Sequence, residues 1–290
     1  MSGMKIGKGL SVVIQLVAYA LATVVAVVTW QLYPELDDLW RLAAADAAAT
    51  VFIFITSLMF NNSSMYDPYW SVKPAVIATG FAVLFGLDSF PAIVLFILMH
   101  LYNLRLTSNF WRDWPGLIHE DWRYQDFRRN FPKAYWFISF TGIHFFPTLM
   151  VYLACIPLYF GMKLDFEMSW IGWLGAAITL AAVVIAFVAD EQMRSFRKKP
   201  ENKGKNMDEG LWKYSRHPNY FGEIMTWWGI WLIALNANFD YWWTGIGALA
   251  ITVMFVFISI PMMDKRSLQR RPNFEEYMKR TWMIVPIPRK

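Results

Sequence analysis

The sequence is poor in the features that mark many soluble enzymes. It contains one cysteine, Cys155, which excludes a disulfide framework and a cysteine-based metal cluster. Charged residues make up 17% of the chain, below the roughly 25% of an average soluble domain. The motifs GxGxxG, GxxxxGK[ST] and GxSxG are absent, so we expect no Rossmann domain, P-loop or nucleophile elbow. The four histidines, His100, His119, His144 and His217, lack metal-ligand spacing, and no metal is expected.

What the sequence has instead is a series of long apolar runs, and 57% of its residues are hydrophobic. Five runs of about 20 residues or more lack Asp, Glu, Lys and Arg, which is long enough for a helix to cross a membrane. These runs are residues 9–34, 47–66, 134–162, 168–189 and 241–263. The stretches 89–112 and 219–239 are nearly as apolar. We therefore expect an all-α fold, a polytopic integral membrane helical bundle in one domain (residues 1–290), with seven transmembrane helices, or eight if 74–87 also spans.

The positive charge is concentrated in three polar segments. Of the 27 Lys and Arg residues, five lie in 112–133, eight in 193–218 and eight in 264–290. The positive-inside rule places these two loops and the tail together on the cytoplasmic side. Orientation alone explains one or two basic residues per loop, whereas this density favours a bound anion as well. A nucleic-acid partner is not expected, because the basic segments lie against a membrane and have no recognised nucleic-acid-binding fold.

Four charged residues fall in or beside apolar runs, where charge is costly and usually functional. They are Asp67, Arg105, Asp190 and Glu223. Polar neighbours accompany three of them at helical spacing, so that each helix has one polar face. The three sets are Tyr102, Arg105, Asn109 and Arg112; Asp190, Arg194 and Arg197; and Asn219 and Glu223. The alternative is that these side chains snorkel at helix ends or satisfy one another in ordinary packing.

Two shorter segments add candidate site residues. Pro68 interrupts the second apolar stretch near Tyr66 and Asp67, and irregular backbone at membrane depth is tolerated where it is buried in protein or lines a cavity. We expect residues 61–71 to line a cavity, with a plain surface loop as the alternative.

In 211–223, a helix beginning at Pro218 follows Arg216 and His217. Helix N-termini with nearby cations bind phosphate. Two tyrosines in this segment can also lie on either side of a planar ring of a ligand. These are Tyr214 and Tyr220.

The string of residues 214–223, YSRHPNYFGE, resembles the signature shared by steroid 5-alpha-reductases, sterol reductases and isoprenylcysteine methyltransferases. Further strings narrow the resemblance to the bacterial branch of the steroid 5-alpha-reductase family. They are EDWRY (120–124), YDPYWS (66–71), ADEQ (189–192), FEEY (274–277) and IVP (284–286). The similarity runs from about residue 60 to the end.

The resemblance implies a helical membrane reductase that uses NADPH to saturate the C4–C5 double bond of a 3-oxo-Δ4 steroid. It implies an active site that pairs a tyrosine with a Gln-Glu pair. Tyr102 takes the place of the tyrosine here, and Tyr66 and Asp67 take the places of the glutamine and the glutamate. Tyr66 in place of glutamine is a departure from the family. The implied cofactor-binding residues are Arg105, Asn109, Arg112, Asp113, Arg123, Tyr124, Asp190, Arg194, Arg197, Tyr214, Arg216, His217, Asn219, Tyr220, Glu223 and Arg266. A bacterial inner-membrane location follows, with the cofactor site facing the cytoplasm.

The chemistry of such a reduction suits these residues. Hydride addition to an enone places negative charge on the ketone oxygen, which hydrogen-bond donors stabilise. We expect Tyr102 to be the main donor and a protonated Asp67 the second, with Tyr66 orienting one of them. The steroid, or another apolar enone, would enter from the surrounding membrane lipids. The alternatives are S-adenosylmethionine-dependent methylation of an isoprenylcysteine or phospholipid, and a non-enzymatic lipid-binding protein.

Overall fold

The computed structural model describes residues 7–288, and the regular secondary structure in this part of the chain is helical. Within these residues there is no β-strand. The α-helices are α1 (Lys8–Leu32), α2 (Asp38–Met59), α3 (Tyr69–Phe85), α4 (Phe90–Asp113), α5 (Trp122–Asn130), α6 (Tyr135–Ile138), α7 (Phe146–Lys163), α8 (Trp170–Arg197), α9 (Pro218–Ala237), α10 (Ile246–Met254), α11 (Ile260–Arg270) and α12 (Phe274–Arg280). The expected all-α fold is confirmed.

Several short segments of tighter or wider helix join these elements. The π-helical segments Ser139–Phe145 and Phe255–Ser259 connect α6 to α7 and α10 to α11 without a break. Short 3₁₀ helices occupy Ser63–Met65, Pro200–Asn202, Gly210–Lys213 and Phe239–Gly245. Pro74 and Pro157 lie inside α3 and α7, which membrane helices tolerate because neighbouring groups satisfy the freed backbone.

Six helical stretches within the described residues are long and apolar enough to cross a membrane. They are Lys8–Leu32, Asp38–Met59, Phe90–Asp113, Tyr135–Lys163, Trp170–Arg197 and Phe239–Arg270. This supports an integral membrane protein. The count of seven or eight spans stays a prediction, because α3, with 17 residues, and α9 are not among the six.

The chain forms two compact units. The first contains the described residues up to Gly80 together with Leu106–Ile156, and the second contains Phe81–Arg105 together with the described residues from Pro157 onward. The helices α3, α4 and α7 contribute residues to both units. The single-domain organisation therefore stays a prediction.

In the first unit, the irregular segment after α2 is buried in protein. Residues 62–66 are all buried, and the Tyr19 hydroxyl on α1 donates to the carbonyl of Met65 at 2.7 Å. The Glu120 carboxylate accepts from the backbone N–H of Ser63 at 2.8 Å, and the Ser64 hydroxyl accepts from the backbone N–H of Asp121 at 2.9 Å. These contacts rule out the plain surface loop. They hold residues 63–65 in place, directly before Tyr66 and the start of α3.

In the second unit, α8 and α9 pack closely along their length through small residues. The small buried residues of α8 are Gly172, Gly175, Thr179, Ala182, Ala186 and Ala189, which recur at the spacing of one helix face. They face Gly222, Thr226 and Gly229 of α9. Small residues let membrane helices approach until their backbones touch. This approach brings the end of α8 near Asp190 against the first turns of α9.

A single methyl group at Gly229 is expected to lower the melting temperature. An added Cβ would lie 2.6 Å from the carbonyl oxygen of Gly175 on α8, and relieving such a clash costs about 1–3 kcal/mol. Gly229→Ala should therefore melt at a lower temperature than the wild type in detergent. The matched control is Gly80→Ala on α3, where a Cβ meets nothing within 4 Å; its melting temperature should be unchanged or slightly higher. Equal behaviour of the two variants would contradict the close α8–α9 packing.

Candidate functional site

The second unit contains a buried charged cluster on three helices. Arg105 of α4 lies between two carboxylates: its Nη1 is 3.2 Å from Oδ2 of Asp190 on α8, and its Nη2 donates to Oε1 of Glu223 on α9. The Asn219 amide of α9 donates to Oδ1 of Asp190 at 3.1 Å. Arg105 is 7% exposed and Glu223 is 4% exposed. Three of the polar faces expected from the sequence therefore meet at one place.

The cluster leaves one strong acceptor for a further donor. Oε2 of Glu223 is buried and has no hydrogen-bond partner among residues 7–288. A buried polar atom without a partner costs about 1–3 kcal/mol, more if it is charged. The position thus suits a ligand that brings an N–H or O–H group to Glu223.

Tyr102 lies on α4, one helical turn before Arg105, and is fully buried. Its ring packs edge-on against the ring of Trp227 on α9, with 5.5 Å between centroids and 70° between planes. The Arg105 guanidinium carbon is 5.8 Å from the centre of the Tyr102 ring. The phenol and the charged cluster therefore occupy one neighbourhood of the second unit.

At the start of α9, a carboxylate that the sequence reasoning missed binds two predicted cofactor residues. Asp264 of α11 accepts from Nη2 of Arg216 and bonds Nε2 of His217, both at 2.9 Å. Arg216 also donates to the carbonyl of Thr281 at 2.9 Å. The His217 ring stacks on Tyr220 at 5.3 Å and 9°. These contacts attach α9 to α11 and to the C-terminal segment, and the roles of Arg216, His217 and Tyr220 toward a cofactor stay predictions.

The remaining predicted cofactor residues of the second unit range from buried to exposed. Arg194 of α8 is buried and pairs with Glu191 at 3.1 Å. Arg197 at the end of α8 is exposed, Tyr214 is 37% exposed, and Arg266 of α11 is half-buried. Asp190, Arg194 and Arg197 therefore lead from the buried cluster to an exposed basic helix end, as the sequence predicted for one face of α8.

In the first unit, Asp67 is bound to the loop helix α5. Its Oδ1 accepts from the Tyr124 hydroxyl at 2.5 Å. Burial raises the pKa of Asp67 to about 6, while the charge of Arg123 opposes the increase. Nε of Arg123 is 2.7 Å from Oδ1 of Asp121. The direction of the pKa shift is the one expected for Asp67, but at neutral pH the carboxyl is mostly ionised.

The other predicted residues of the first unit are less enclosed, except for Tyr66. Tyr66 is 2% exposed, and its hydroxyl is 2.8 Å from Oγ1 of Thr148 on α7. Asn109 is half-buried, and Arg112 and Asp113 at the end of α4 are exposed. Because Tyr102 belongs to the second unit, the use of one substrate by Tyr102, Tyr66 and Asp67 stays a prediction.

The sequence reasoning also missed a buried ion pair in the first unit, between Lys73 of α3 and Asp46 of α2. Nζ of Lys73 is 2.9 Å from Oδ2 of Asp46, and both side chains are 4% exposed. The available signal was a lone acid inside the run of alanines 43–49 and a lone lysine beside Pro74. Within residues 7–288, no group of three or more His, Cys, Asp or Glu side chains is arranged to hold a metal ion.

Comparison with known proteins assigns the chain to a family. A sequence profile described as a protein of unknown function, DUF1295, matches residues 53–281. The chain belongs to the DUF1295 family. A relative in Schizosaccharomyces pombe, itself named uncharacterized, is 25% identical over 261 residues, which cover 79% of this chain and 74% of that protein.

Two further relatives of this DUF1295 protein have names that state an activity. The 3-oxo-5-alpha-steroid 4-dehydrogenase 1 of Homo sapiens and that of Macaca fascicularis are each 31% identical over 114 residues. The match covers 39% of this chain and 40% of either enzyme. No solved structure matches significantly. The resemblance to steroid 5-alpha-reductases is thus supported as a distant relationship, which suggests a membrane oxidoreductase; membership of a bacterial branch stays a prediction.

Proposed function

We propose that this protein is an NADPH-dependent membrane reductase that saturates a carbon–carbon double bond conjugated to a ketone in an apolar lipid, such as a 3-oxo-Δ4 steroid. The observation that carries the proposal is the buried cluster of Arg105, Asp190, Asn219 and Glu223 with its open acceptor, Oε2 of Glu223. The distant relationship to 3-oxo-5-alpha-steroid 4-dehydrogenases supports the same reaction type.

The residues of the second unit fit the nicotinamide end of such a cofactor. Oε2 of Glu223 requires a donor, and the amide NH₂ of nicotinamide is one. Arg105 holds Glu223 and Asp190 in place, so the acceptor is preorganised. Arg197 and the rest of the basic loop 193–218 provide cations for phosphates. S-adenosylmethionine carries no phosphate, so this basic density favours a dinucleotide over methyl transfer.

When bound, NADPH supplies the hydride. The protein's part is to polarise the ketone, because negative charge collects on the ketone oxygen as the double bond is reduced. The Tyr102 hydroxyl donates to that oxygen, and the protonated form of Asp67 is the second donor. Both groups donate in their neutral forms. Hydride addition at the β-carbon leaves an enolate, which takes one proton at the α-carbon from the protein or solvent and becomes the saturated ketone.

An isotope-transfer assay tests this reaction. The purified protein in detergent is incubated with testosterone and NADPH deuterated at nicotinamide C4. Transfer of one deuterium to the reduced steroid, detected by mass spectrometry, is the expected result. Unlabelled NADPH and a heat-denatured sample serve as controls. Absence of reduced product with testosterone and with other enone lipids, in protein that is demonstrably folded, would contradict the proposal.

The pH dependence of the reduction is expected to report Asp67. Its carboxyl donates only when protonated, and the protonated form prevails below its pKa of about 6. The kcat/KM should therefore fall as pH rises from about 5 to about 8, and Asp67→Asn should remove this limb of the profile. The charged or titratable groups that interact with Asp67 are Arg123, Asp121, Tyr124, Tyr19 and Tyr66. A wild-type profile that is flat through pH 6, or an unchanged limb in Asp67→Asn, would exclude Asp67 as a donor.

A further inference from the structure

A buried ion pair in the first unit was assigned no role in the reaction proposed above. Lys73 and Asp46 are both nearly inaccessible, and Nζ of Lys73 also donates to the carbonyl oxygen of Thr148 at 2.9 Å. The pair thereby connects α2, α3 and α7. Ionisable residues within membrane helices are costly, and they usually mark a functional interior.

Thr148 links this ion pair to Tyr66. Its carbonyl is held by Lys73, while its hydroxyl Oγ1 lies 2.8 Å from the Tyr66 hydroxyl and 3.0 Å from Oγ1 of Thr50. Thr50 is one helical turn after Asp46 on α2 and is fully buried. The place of the Tyr66 hydroxyl therefore depends on Thr148, whose backbone the ion pair holds.

The contacts of Thr148 with Thr50 and Tyr66 allow the Tyr66 hydroxyl hydrogen to point toward a ligand. A hydroxyl both donates and accepts, and at both contacts either atom can be the donor. When Thr50 donates to Thr148 and Thr148 donates to Tyr66, the phenol hydrogen is left for an acceptor on a ligand. A phenol of ordinary pKa keeps its hydrogen at neutral pH, and burial raises the pKa of Tyr66 further.

We propose that Lys73 and Asp46 are positioning residues that act through Thr148 to hold the Tyr66 hydroxyl where it donates a hydrogen bond to the ketone oxygen of the substrate. A glutamine side chain can also donate, so the arrangement accounts for a tyrosine where the resemblance implies glutamine. The identity of the acceptor rests on the proposed function, whereas the positioning of Tyr66 does not.

Four variants separate positioning from general stability. Thr148→Val removes the hydroxyl and keeps the carbonyl that Lys73 binds, and Thr148→Ser keeps both. Lys73→Met combined with Asp46→Leu replaces the pair by apolar residues, which avoids leaving one buried charge alone. The matched control is Thr107→Val, since Thr107 is also buried but its hydroxyl lies 2.8 Å from Ser71.

The first readout needs no turnover. With 3-fluorotyrosine at position 66, the ¹⁹F spectrum of the wild type and of Thr148→Ser and Thr107→Val should show one narrow resonance. Thr148→Val and the Lys73→Met/Asp46→Leu double variant should shift or broaden it. An unchanged resonance in those two variants would overturn the proposal, whether or not the protein reduces enones.

The second readout is the kinetics of enone reduction. Thr148→Val and the double variant should each lower kcat by about 10- to 100-fold, with NADPH affinity unchanged, and Thr148→Ser should restore the rate. Combining both changes should cost no more than either alone, because they interrupt one path. Additive losses would overturn the proposal. A wild type without turnover would instead refute the proposed reduction, and the ¹⁹F result would still decide the positioning of Tyr66.

Discussion

Replacing Tyr102 with phenylalanine is expected to lower kcat for enone reduction by about 100-fold or more, the effect of removing one donor to a developing oxyanion. The ring should stay in place, because its edge-on packing against Trp227 does not involve the hydroxyl. Affinity for NADPH should change little, since Arg105, Asp190, Asn219 and Glu223 are untouched. Steady-state kinetics with testosterone, together with NADPH binding at equilibrium, measure both quantities.

The matched control is Tyr241→Phe, also in the second unit. The Tyr241 ring stacks on Phe160 with 4.0 Å between centroids, a contact that phenylalanine retains. This variant should keep the wild-type rate. If Tyr102→Phe also keeps its rate, Tyr102 is not the donor, and the proposed chemistry has lost its main polarising group.

Replacing Glu223 with glutamine is expected to weaken NADPH binding by about 10- to 100-fold. The amide oxygen can still accept from Arg105, but the amide NH₂ then occupies the position of Oε2. A donor from the ligand would meet another donor, and both would be left unsatisfied. Titration of NADPH fluorescence against the purified variant gives the dissociation constant directly.

Thr226→Val is the control for Glu223→Gln, because it is also a near-isosteric change of a buried residue on α9. The Thr226 hydroxyl donates to the carbonyl of Gly222, one turn earlier, and has no place in the proposed site. Its NADPH affinity should remain near wild type. Unchanged affinity in Glu223→Gln would show that the open carboxylate oxygen does not contact the cofactor.

The sequence predicted long apolar helices and the polar faces of α4, α8 and α9, since both follow from local composition and spacing. It predicted that Arg105, Asp190, Asn219 and Glu223 were functional, but not that Arg105 bridges both carboxylates. That contact depends on how closely α8 and α9 approach, which is determined by glycines and alanines spread over both helices, such as Gly175 and Gly229.

Two features lay beyond the sequence reasoning because their partners are far apart in the chain. Asp264 binds Arg216 and His217 from 48 and 47 residues away, and no local pattern indicates such a pairing. Lys73 and Asp46 are separated by 27 residues, and each lies just outside an uncharged run, where a charge is readily taken for the end of a span. The π-helical segments likewise have no compositional signal.

Ligand-dependent melting of the detergent-solubilised protein tests the central claim most directly. A ligand that binds only the folded state raises its stability, by about 2.7 kcal/mol at 100 times the dissociation constant. NADPH should therefore raise the melting temperature by about 5 °C or more, and Glu223→Gln should lose most of this increase at the same concentration. S-adenosylmethionine should leave it unchanged. A melting temperature that responds to S-adenosylmethionine and not to NADPH would contradict the account.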